Sequence, residues 1–277
     1  MRILIVGLGV IGASFAKGFK ELGYNEVYGV DISKETLKKA KDLGIIKEGF
    51  LEESEIVKEC ELIILAIYPK LIFKFIEKNK DKFREGTVIT DVTGIKEVFI
   101  DKIRTILPKS VDFIFGHPMA GKEKRGIDFS SNEVFKGANY IITPVDENKE
   151  KNIQCIEKIA LELGFKNIKR ISPSYHDKMI AFTSQLPHAI AVALINSDEE
   201  DRDTGSFIGD SYRDLTRIAN INELLWSELF LGNRENLLEC IENFEEELNI
   251  IKTAIKYNDK DALIKGFNKS SKRRENL

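Results

Sequence analysis

A glycine pattern directly after the first predicted strand constrains the fold more than any other feature of the sequence. The run Ile3–Val6 is followed at once by Gly7-Leu8-Gly9-Val10-Ile11-Gly12, which opens a predicted helix. In this context the first glycine permits a tight turn, the second lets the backbone approach a pyrophosphate, and the third allows close packing of the helix on the strand. The helix N-terminus then faces the anion. The pattern predicts a dinucleotide-binding α/β domain.

An acidic residue at the end of the second predicted strand indicates which dinucleotide binds. Asp31 lies 19 residues after Gly12. A carboxylate at this place accepts hydrogen bonds from a ribose 2′-hydroxyl and repels a 2′-phosphate, and Ile32 and its neighbours offer no arginine to receive one. The sequence therefore favours NAD over NADP. The alternative is a glycine-rich turn that binds another nucleotide or none. A mononucleotide P-loop is disfavoured because no Gly-Lys-Ser/Thr follows.

Two kinds of patterning divide the 277 residues. The first part alternates short β-branched runs with helix-like segments, which is typical of a mostly parallel, doubly wound α/β sheet. Its predicted strands are Ile3–Val6, Glu26–Val30, Leu62–Ala66, Thr87–Thr90, Val111–Phe115 and Tyr140–Thr143. After about Ser172, long segments of helical period follow, among them Met179–Leu194 and Glu223–Lys256, with Gly232 as a candidate interruption of the second. We predict an NAD-binding Rossmann domain over 1–171 and an all-α domain over 172–277.

Composition excludes several classes of protein. Lys and Arg number 42 against 45 Asp and Glu, a formal net charge of −3, so no basic footprint for nucleic acid or an anionic membrane is expected. The three cysteines lie far apart, which predicts neither a disulfide framework nor a metal site. No stretch approaches 18 uncharged apolar residues. We expect a cytoplasmic protein, and the long apolar helices suggest a partner subunit.

Two histidines and an arginine are candidates for chemistry. His117 ends the predicted fifth strand, and ligands of open α/β sheets bind beyond the carboxyl ends of the strands. His188 follows Pro187, which predicts a kink that aims side chains inward. Arg217 lies at a segment junction and suits bidentate binding of a carboxylate. The plainer interpretations are structural histidines and a surface ion pair.

Taken together, these segments resemble the prephenate and arogenate dehydrogenases of tyrosine biosynthesis over nearly the whole chain. The glycine loop with Asp31 is shared by very many proteins. The order and spacing of His117-Pro118-Met119-Ala120-Gly121, Leu186-Pro187-His188 and Asp214-Leu215-Thr216-Arg217-Ile218-Ala219 are specific. The resemblance implies a Rossmann domain, a helical domain that forms a homodimer, and NAD-linked oxidative decarboxylation of prephenate to 4-hydroxyphenylpyruvate.

The resemblance also implies roles for individual residues. His117 matches the catalytic histidine that takes the proton of the ring 4-hydroxyl. His188 matches a second active-site histidine, and Arg217 matches an arginine that grips a substrate carboxylate. His176 is expected to hold the domain junction. The predicted substrate contacts are Lys122, Ser184 and Arg217, and the predicted cofactor contacts are Gly7, Leu8, Gly9, Val10, Ile11, Gly12, Asp31, Ile32, Ala66 and Thr93.

Two departures from the family pattern leave details open. Gly94 stands where family members often carry a serine that supports the catalytic histidine, and Thr93 is the nearest hydroxyl. Lys122 stands where some relatives have a threonine, so the choice between prephenate and arogenate is undecided. The alternatives are an arogenate or dual-specificity cyclohexadienyl dehydrogenase, another β-hydroxyacid-type dehydrogenase with a catalytic lysine in its helical domain, and a non-catalytic nucleotide-sensing protein.

Overall fold

The first half of the chain forms one twisted sheet of eight strands. The computed structural model describes residues 1–52, 55–121 and 124–276. The spatial order is β3-β2-β1-β4-β5-β6-β7-β8, and every neighbouring pair is parallel except β6 and β7. The strands are β1 Ile3–Val6, β2 Val27–Val30, β3 Glu48–Phe50, β4 Leu62–Leu65, β5 Val88–Asp91, β6 Asp112–Met119, β7 Asn139–Thr143 and β8 Asn167–Arg170. The predicted fold class is confirmed.

Three strand predictions need correction. The edge strands β3 and β8 were missed because their sequences, Glu-Gly-Phe and Asn-Ile-Lys-Arg, contain no apolar run. Strand β6 does not end at Phe115 as predicted. It continues to Met119 because β7 supplies an antiparallel partner, with His117 opposite Ile141. His117 therefore lies within a paired strand, and its backbone is held on one side by β7.

Helices cover both faces of the sheet, as alternating side chains of the buried strands require. Ile3 and Ile5 of β1 face one core, while Leu4 and Val6 face the other. The first core is closed by α1 Val10–Glu21, α2 Lys34–Asp42 and α5 Glu150–Glu162, and the second by α3 Pro69–Asn79 and α4 Glu97–Ile106.

The second half of the described chain is helical. A π-helical turn, Ala181–Gln185, joins the helix Pro173–Ile180 to the helix Leu186–Asn196 and widens the backbone. It comes just before Pro187, which has no N–H to donate to the regular α-helical hydrogen bonds. Gly232 ends α9, as predicted, and a Cβ there would lie 2.4 Å from Ile95 Cδ1. The helices are α6 Pro173–Ile180, α7 Leu186–Asn196, α8 Asp210–Thr216, α9 Glu223–Gly232, α10 Arg234–Lys256 and α11 Lys260–Arg274.

Buried amides hold the helices of the helical half together. The side-chain amide of Asn233, between α9 and α10, donates to the carbonyl of Asp177 at 2.8 Å and to Gln185 Oε1 at 2.9 Å. Gln185 in turn donates to the carbonyl of Leu229 at 2.9 Å. Strand β8 ends at Arg170 and α6 begins at Pro173, while the boundary between 171 and 172 stays a prediction.

One helical stretch has the length and composition of a membrane span. Pro173–Asn196 meets both criteria, although only 28% of its most apolar window is buried. Its apolar residues form no uninterrupted run, because Thr183, Ser184, Gln185 and His188 lie among them. The core helix of a soluble protein meets the same criteria of length and composition.

Candidate active site

A cleft lies at the carboxyl ends of the central strands, between the sheet and the helical half. One part encloses about 420 Å³, and an adjoining part of about 660 Å³ shares His117 and Trp226 with it. The residues of the first part include Gly9, Val10, Ile11, Ala66, Val92, Thr93, Gly94, His117, Ile180, Ser184, Gln185, Leu225, Trp226 and Leu229. This is where an open α/β sheet binds its ligand.

Each glycine of the loop has a different reason to be glycine. Gly7 has a φ of +88°, which other residues adopt rarely. A Cβ on Gly12 would lie 1.9 Å from the carbonyl oxygen of Gly7, so only glycine lets α1 start this close to β1. A Cβ on Gly9 would meet nothing within 4 Å, because Gly9 borders the cavity. The loop thus leaves room beside the N-terminus of α1, where unpaired N–H groups suit a pyrophosphate.

Asp31 is fixed to this loop by two backbone donors. Its Oδ2 accepts from the N–H of Leu8 at 2.8 Å, and its Oδ1 accepts from the N–H of Ser33 at 2.9 Å. Leu8 was predicted to contact the cofactor, but its side chain is fully buried in the core and its N–H is taken by Asp31. Ile32 is 95% exposed beside this carboxylate. Among the remaining predicted cofactor contacts, Gly9, Val10, Ile11, Ala66 and Thr93 line the cavity.

A fully buried ion pair holds β6, the strand that carries His117. Lys96 Nζ donates to Asp91 Oδ2 at 2.6 Å, to the carbonyl of Gly116 at 2.7 Å and to the carbonyl of Thr93 at 2.9 Å. These three acceptors match the three N–H bonds of an ammonium group. Asp91 Oδ1 also accepts from the N–H of Gly116 at 3.0 Å. Both backbone polar groups of the residue before His117 are therefore held by the pair.

A second polar chain reaches His117 from the helical half. His117 Nδ1 lies 2.8 Å from His176 Nε2, and His176 Nδ1 lies 2.7 Å from Asp177 Oδ1. His176 and Asp177 are buried at the start of α6, whereas His117 is half-buried and borders both parts of the cavity. Burial, reinforced by His176 and Lys96, holds the pKa of His117 well below its usual value. Burial also lowers the pKa of His176, although the hydrogen bond that its ring donates to Asp177 acts to raise it.

The other nitrogen of His117 faces Gly94. A Cβ built on Gly94 would lie 3.6 Å from His117 Nε2, so this is where a supporting serine hydroxyl would approach the ring. Thr93 does not take that place. Its hydroxyl donates to the Asp91 carboxylate and lies 3.2 Å from Lys96 Nζ.

The opposite wall of the cavity comes from the helical half. The ring of His188 stacks on Trp226 with centroids 3.7 Å apart, and His188 Nδ1 donates to the carbonyl of Ser184 at 2.8 Å. Ser184 and His188 border the second part of the cavity, and their contact with a substrate stays a prediction. Arg217 begins a short 3-10 turn and does not border either part of the cavity, so its substrate role stays a prediction. Lys122 lies outside the described residues.

The structure adds two cations that the predictions omitted. Lys124 and Arg125 border both parts of the cavity, and Arg125 forms an ion pair with Glu223 of α9. The dense run of charges after Gly121 could have indicated them. Within the described part of the chain, no group of three or more His, Cys, Asp or Glu residues could hold a metal ion.

Family comparisons agree with this geometry. Residues 15–169 match the model of the prephenate dehydrogenase nucleotide-binding domain, and residues 172–269 match that of the prephenate dehydrogenase dimerization domain. The chain belongs to the prephenate dehydrogenase family. It is therefore an oxidoreductase whose two halves correspond to the nucleotide-binding domain and the dimerization domain of that family.

Individual relatives cover almost the whole chain. A prephenate dehydrogenase of Lactococcus lactis is 30% identical over 99% of this chain and 77% of its own length. A cyclohexadienyl dehydrogenase of Zymomonas mobilis is 28% identical over 99% of this chain and 94% of its own. The crystal structure of prephenate dehydrogenase from A. aeolicus in complex with hydroxyphenyl propionate and NAD+ matches with a TM-score of 0.90 and 31% identity, covering 100% of this chain and 98% of that one.

Replacing Lys96 tests whether the buried ion pair stabilises the fold around the site. Lys96→Met leaves the carboxylate of Asp91 buried and unpaired, so we expect the free energy of unfolding to fall by about 3–5 kcal/mol. Urea denaturation followed by circular dichroism measures the loss. Lys102→Met, an exposed position of the same helix, is the matched control and should change stability by less than about 0.5 kcal/mol. Equal losses in the two variants would contradict this assignment.

Proposed function

We propose that the chain catalyses the NAD-dependent oxidative decarboxylation of prephenate to 4-hydroxyphenylpyruvate. The observation that carries the proposal is the position of His117, whose Nε2 faces the cavity at Gly94 while its Nδ1 is bonded to His176. A neutral histidine held in this way is suited to accept a proton from a substrate hydroxyl.

The glycine loop and Asp31 fit NAD. Gly9 leaves open space at the N-terminus of α1 for a pyrophosphate. The Asp31 carboxylate, oriented by Leu8 and Ser33, is available to ribose hydroxyls and disfavours a 2′-phosphate. When bound, NAD supplies the acceptor for the hydride that leaves C4 of the substrate ring.

The protein's own contribution is to position the ring and to move one proton. His117 Nε2 removes the proton of the 4-hydroxyl as C4 is oxidised. Loss of the ring carboxylate as carbon dioxide then makes the ring aromatic, and the protonated His117 returns the proton to the phenolate oxygen. The substrate drives the decarboxylation, so correct placement of the ring against His117 is the main requirement.

Cations of the cavity wall suit the two carboxylates of prephenate. Lys124 and Arg125 border the same part of the cavity as His117, and the Arg125 guanidinium already pairs with the carboxylate of Glu223. We assign recognition of at least one substrate carboxylate to these residues. Ser184 and His188 face them across the cavity and complete the polar contacts. Arg217 is retained as a further candidate from the family pattern.

Two alternative activities differ in what they need from the site. An arogenate or dual-specificity cyclohexadienyl dehydrogenase would use the same base, and a relative of that name is similar over 99% of this chain. A β-hydroxyacid-type dehydrogenase would need a lysine from the helical half. No lysine among the described residues after 172 lines the cavity, which weighs against that reaction.

We further propose that the helical half forms a homodimer and that the enzyme is cytoplasmic. The match to a dimerization domain supports the dimer, as do exposed apolar side chains on the last helices. These side chains are Leu224, Leu231, Leu238, Phe244, Leu248, Ile250, Ile251, Ile255, Tyr257, Ile264 and Phe267. Such a surface is more apolar than a monomer normally exposes to water.

The activity itself is tested with purified protein, NAD and prephenate by the absorbance of NADH. We expect turnover with prephenate, a lower kcat/KM with arogenate and a lower one with NADP. His117→Asn removes the base and should reduce kcat by roughly 10²–10⁴-fold. A kcat/KM on arogenate equal to or above that on prephenate would assign the alternative substrate. No NADH from correctly folded protein would refute the dehydrogenase activity.

The pH dependence follows from the lowered pKa of His117. His117 can act as a base only when its ring is neutral. Burial lowers its pKa well below the usual value of 6.5, so the ring stays neutral into more acid solution. His176 and Lys96 face it and lower its pKa further, with the Asp177 and Asp91 carboxylates bonded behind them. We expect kcat/KM for prephenate to stay flat from about pH 8 to about pH 6.5 and to fall only in more acid solution. A decline that begins above pH 6.5 would contradict a depressed pKa.

The dimer is tested by light scattering at micromolar concentration. We expect twice the 31.5 kDa mass of the chain. Ile255→Glu places a charge on the exposed apolar side of α10 and should shift the population toward monomer. Lys252→Gln, an exposed polar position of the same helix, is the control and should leave the mass unchanged. A monomer mass for the unaltered chain would refute the proposal.

A further inference from the structure

We propose that His176 and Asp177 act as a positioning pair that fixes the proton of His117 on Nδ1 and leaves its Nε2 unprotonated toward the cavity. The catalytic meaning of this arrangement rests on the proposed dehydrogenase function. The proton arrangement itself rests only on hydrogen bonds among buried groups, so it can be measured without substrate.

The carboxylate of Asp177 accepts hydrogen bonds from a distant part of the chain. The N–H of Lys96 lies 2.9 Å from Oδ1 and 3.1 Å from Oδ2, and the N–H of Glu97 lies 2.9 Å from Oδ2. An ionised carboxylate can only accept hydrogen bonds. His176 Nδ1, 2.7 Å from Oδ1, must therefore carry a hydrogen and donate it.

The position of the proton on His176 determines the position of the proton on His117. A neutral His176 with its proton on Nδ1 has a lone pair on Nε2. His117 Nδ1, 2.8 Å from that nitrogen, must then be the donor of their shared hydrogen bond. The remaining nitrogen of a neutral His117, Nε2, carries no hydrogen and faces the cavity at Gly94. Burial is the main cause that lowers the pKa of each ring, which supports the neutral form of both.

The opposite arrangement is unfavourable and inactive. With the proton of His176 on Nε2, its bare Nδ1 would face the Asp177 carboxylate, two acceptors at 2.7 Å. His117 would then accept at Nδ1 and carry its hydrogen on Nε2, where it could not take a proton from a substrate hydroxyl. Asp177 acts through His176 on His117 and touches no substrate.

Nitrogen-15 NMR of histidine-labelled protein reads the arrangement directly, since protonated and unprotonated ring nitrogens differ strongly in chemical shift. The chain has only three histidines, His117, His176 and His188, so the signals can be assigned with one variant of each. For the unaltered protein without ligands near neutral pH, we expect His117 and His176 to be protonated at Nδ1 and unprotonated at Nε2. The reverse pattern at His117 would overturn the proposal, whether or not the protein oxidises prephenate.

Asp177→Asn reverses the arrangement. The amide oxygen is needed by the backbone donors of Lys96 and Glu97, so the amide NH₂ turns toward His176 Nδ1. We expect the proton to move to Nε2 in both rings, seen as an exchange of the nitrogen-15 shifts of His117. The kcat for prephenate should fall on the order of 10³–10⁴-fold, as when a catalytic histidine is held in the wrong tautomer, with KM changed less than about threefold. An unchanged tautomer, or a kcat within about threefold of the original, would overturn the proposal.

Variants of His176 keep the test decisive should Asp177→Asn not fold. The side-chain oxygen of His176→Gln can still accept from His117 Nδ1, whereas His176→Met offers no comparable acceptor. We expect the glutamine variant to retain the His117 tautomer and at least about ten times the kcat of the methionine variant. Equal values for the two would show that the ring serves only packing. Tyr175→Phe, an exposed neighbour on the same helix, is the control and should leave tautomer and kcat unchanged.

Discussion

The ammonium group of Lys96 makes the contacts on which the candidate active site depends. Taking a charge out of water costs several kcal/mol, and that cost is offset only because Asp91 and two carbonyls surround the group. One of these carbonyls belongs to Gly116 in β6, while Asp91 ends β5. The pair therefore holds the end of β5 against β6 at the residue before His117.

The same residue connects the sheet to the helical half. The backbone N–H of Lys96 donates to Asp177 at the start of α6, and Asp177 orients His176 against His117. The side chain of Lys96 thus holds the strand that carries His117, and its backbone holds the carboxylate behind the ring. Both contacts come from one buried residue. His117, which lies between the sheet and the helical half, is therefore held in place relative to both.

Much of this molecule follows from local sequence patterns. The glycine loop, the six apolar strands and the break at Gly232 depend on residues close together in the chain, and all of them are present. The edge strands β3 and β8 were missed because strands that are half exposed need no apolar run. The extension of β6 past Phe115 was missed because it depends on a partner strand more than 20 residues away, which no pattern within β6 reveals.

The sequence by itself determined the α/β class and the nucleotide loop with its carboxylate, because each depends on residue types at short fixed spacings, and it indicated His117 as the candidate base. Only the tertiary structure decided what surrounds that base. It showed that His176 contacts His117 directly, that Lys124 and Arg125 border the cavity, and that Leu8 belongs to the core. The physical reason is that protonation, hydrogen bonding and burial depend on groups brought together by folding, such as Asp177 and Lys96, which lie 81 residues apart in the chain.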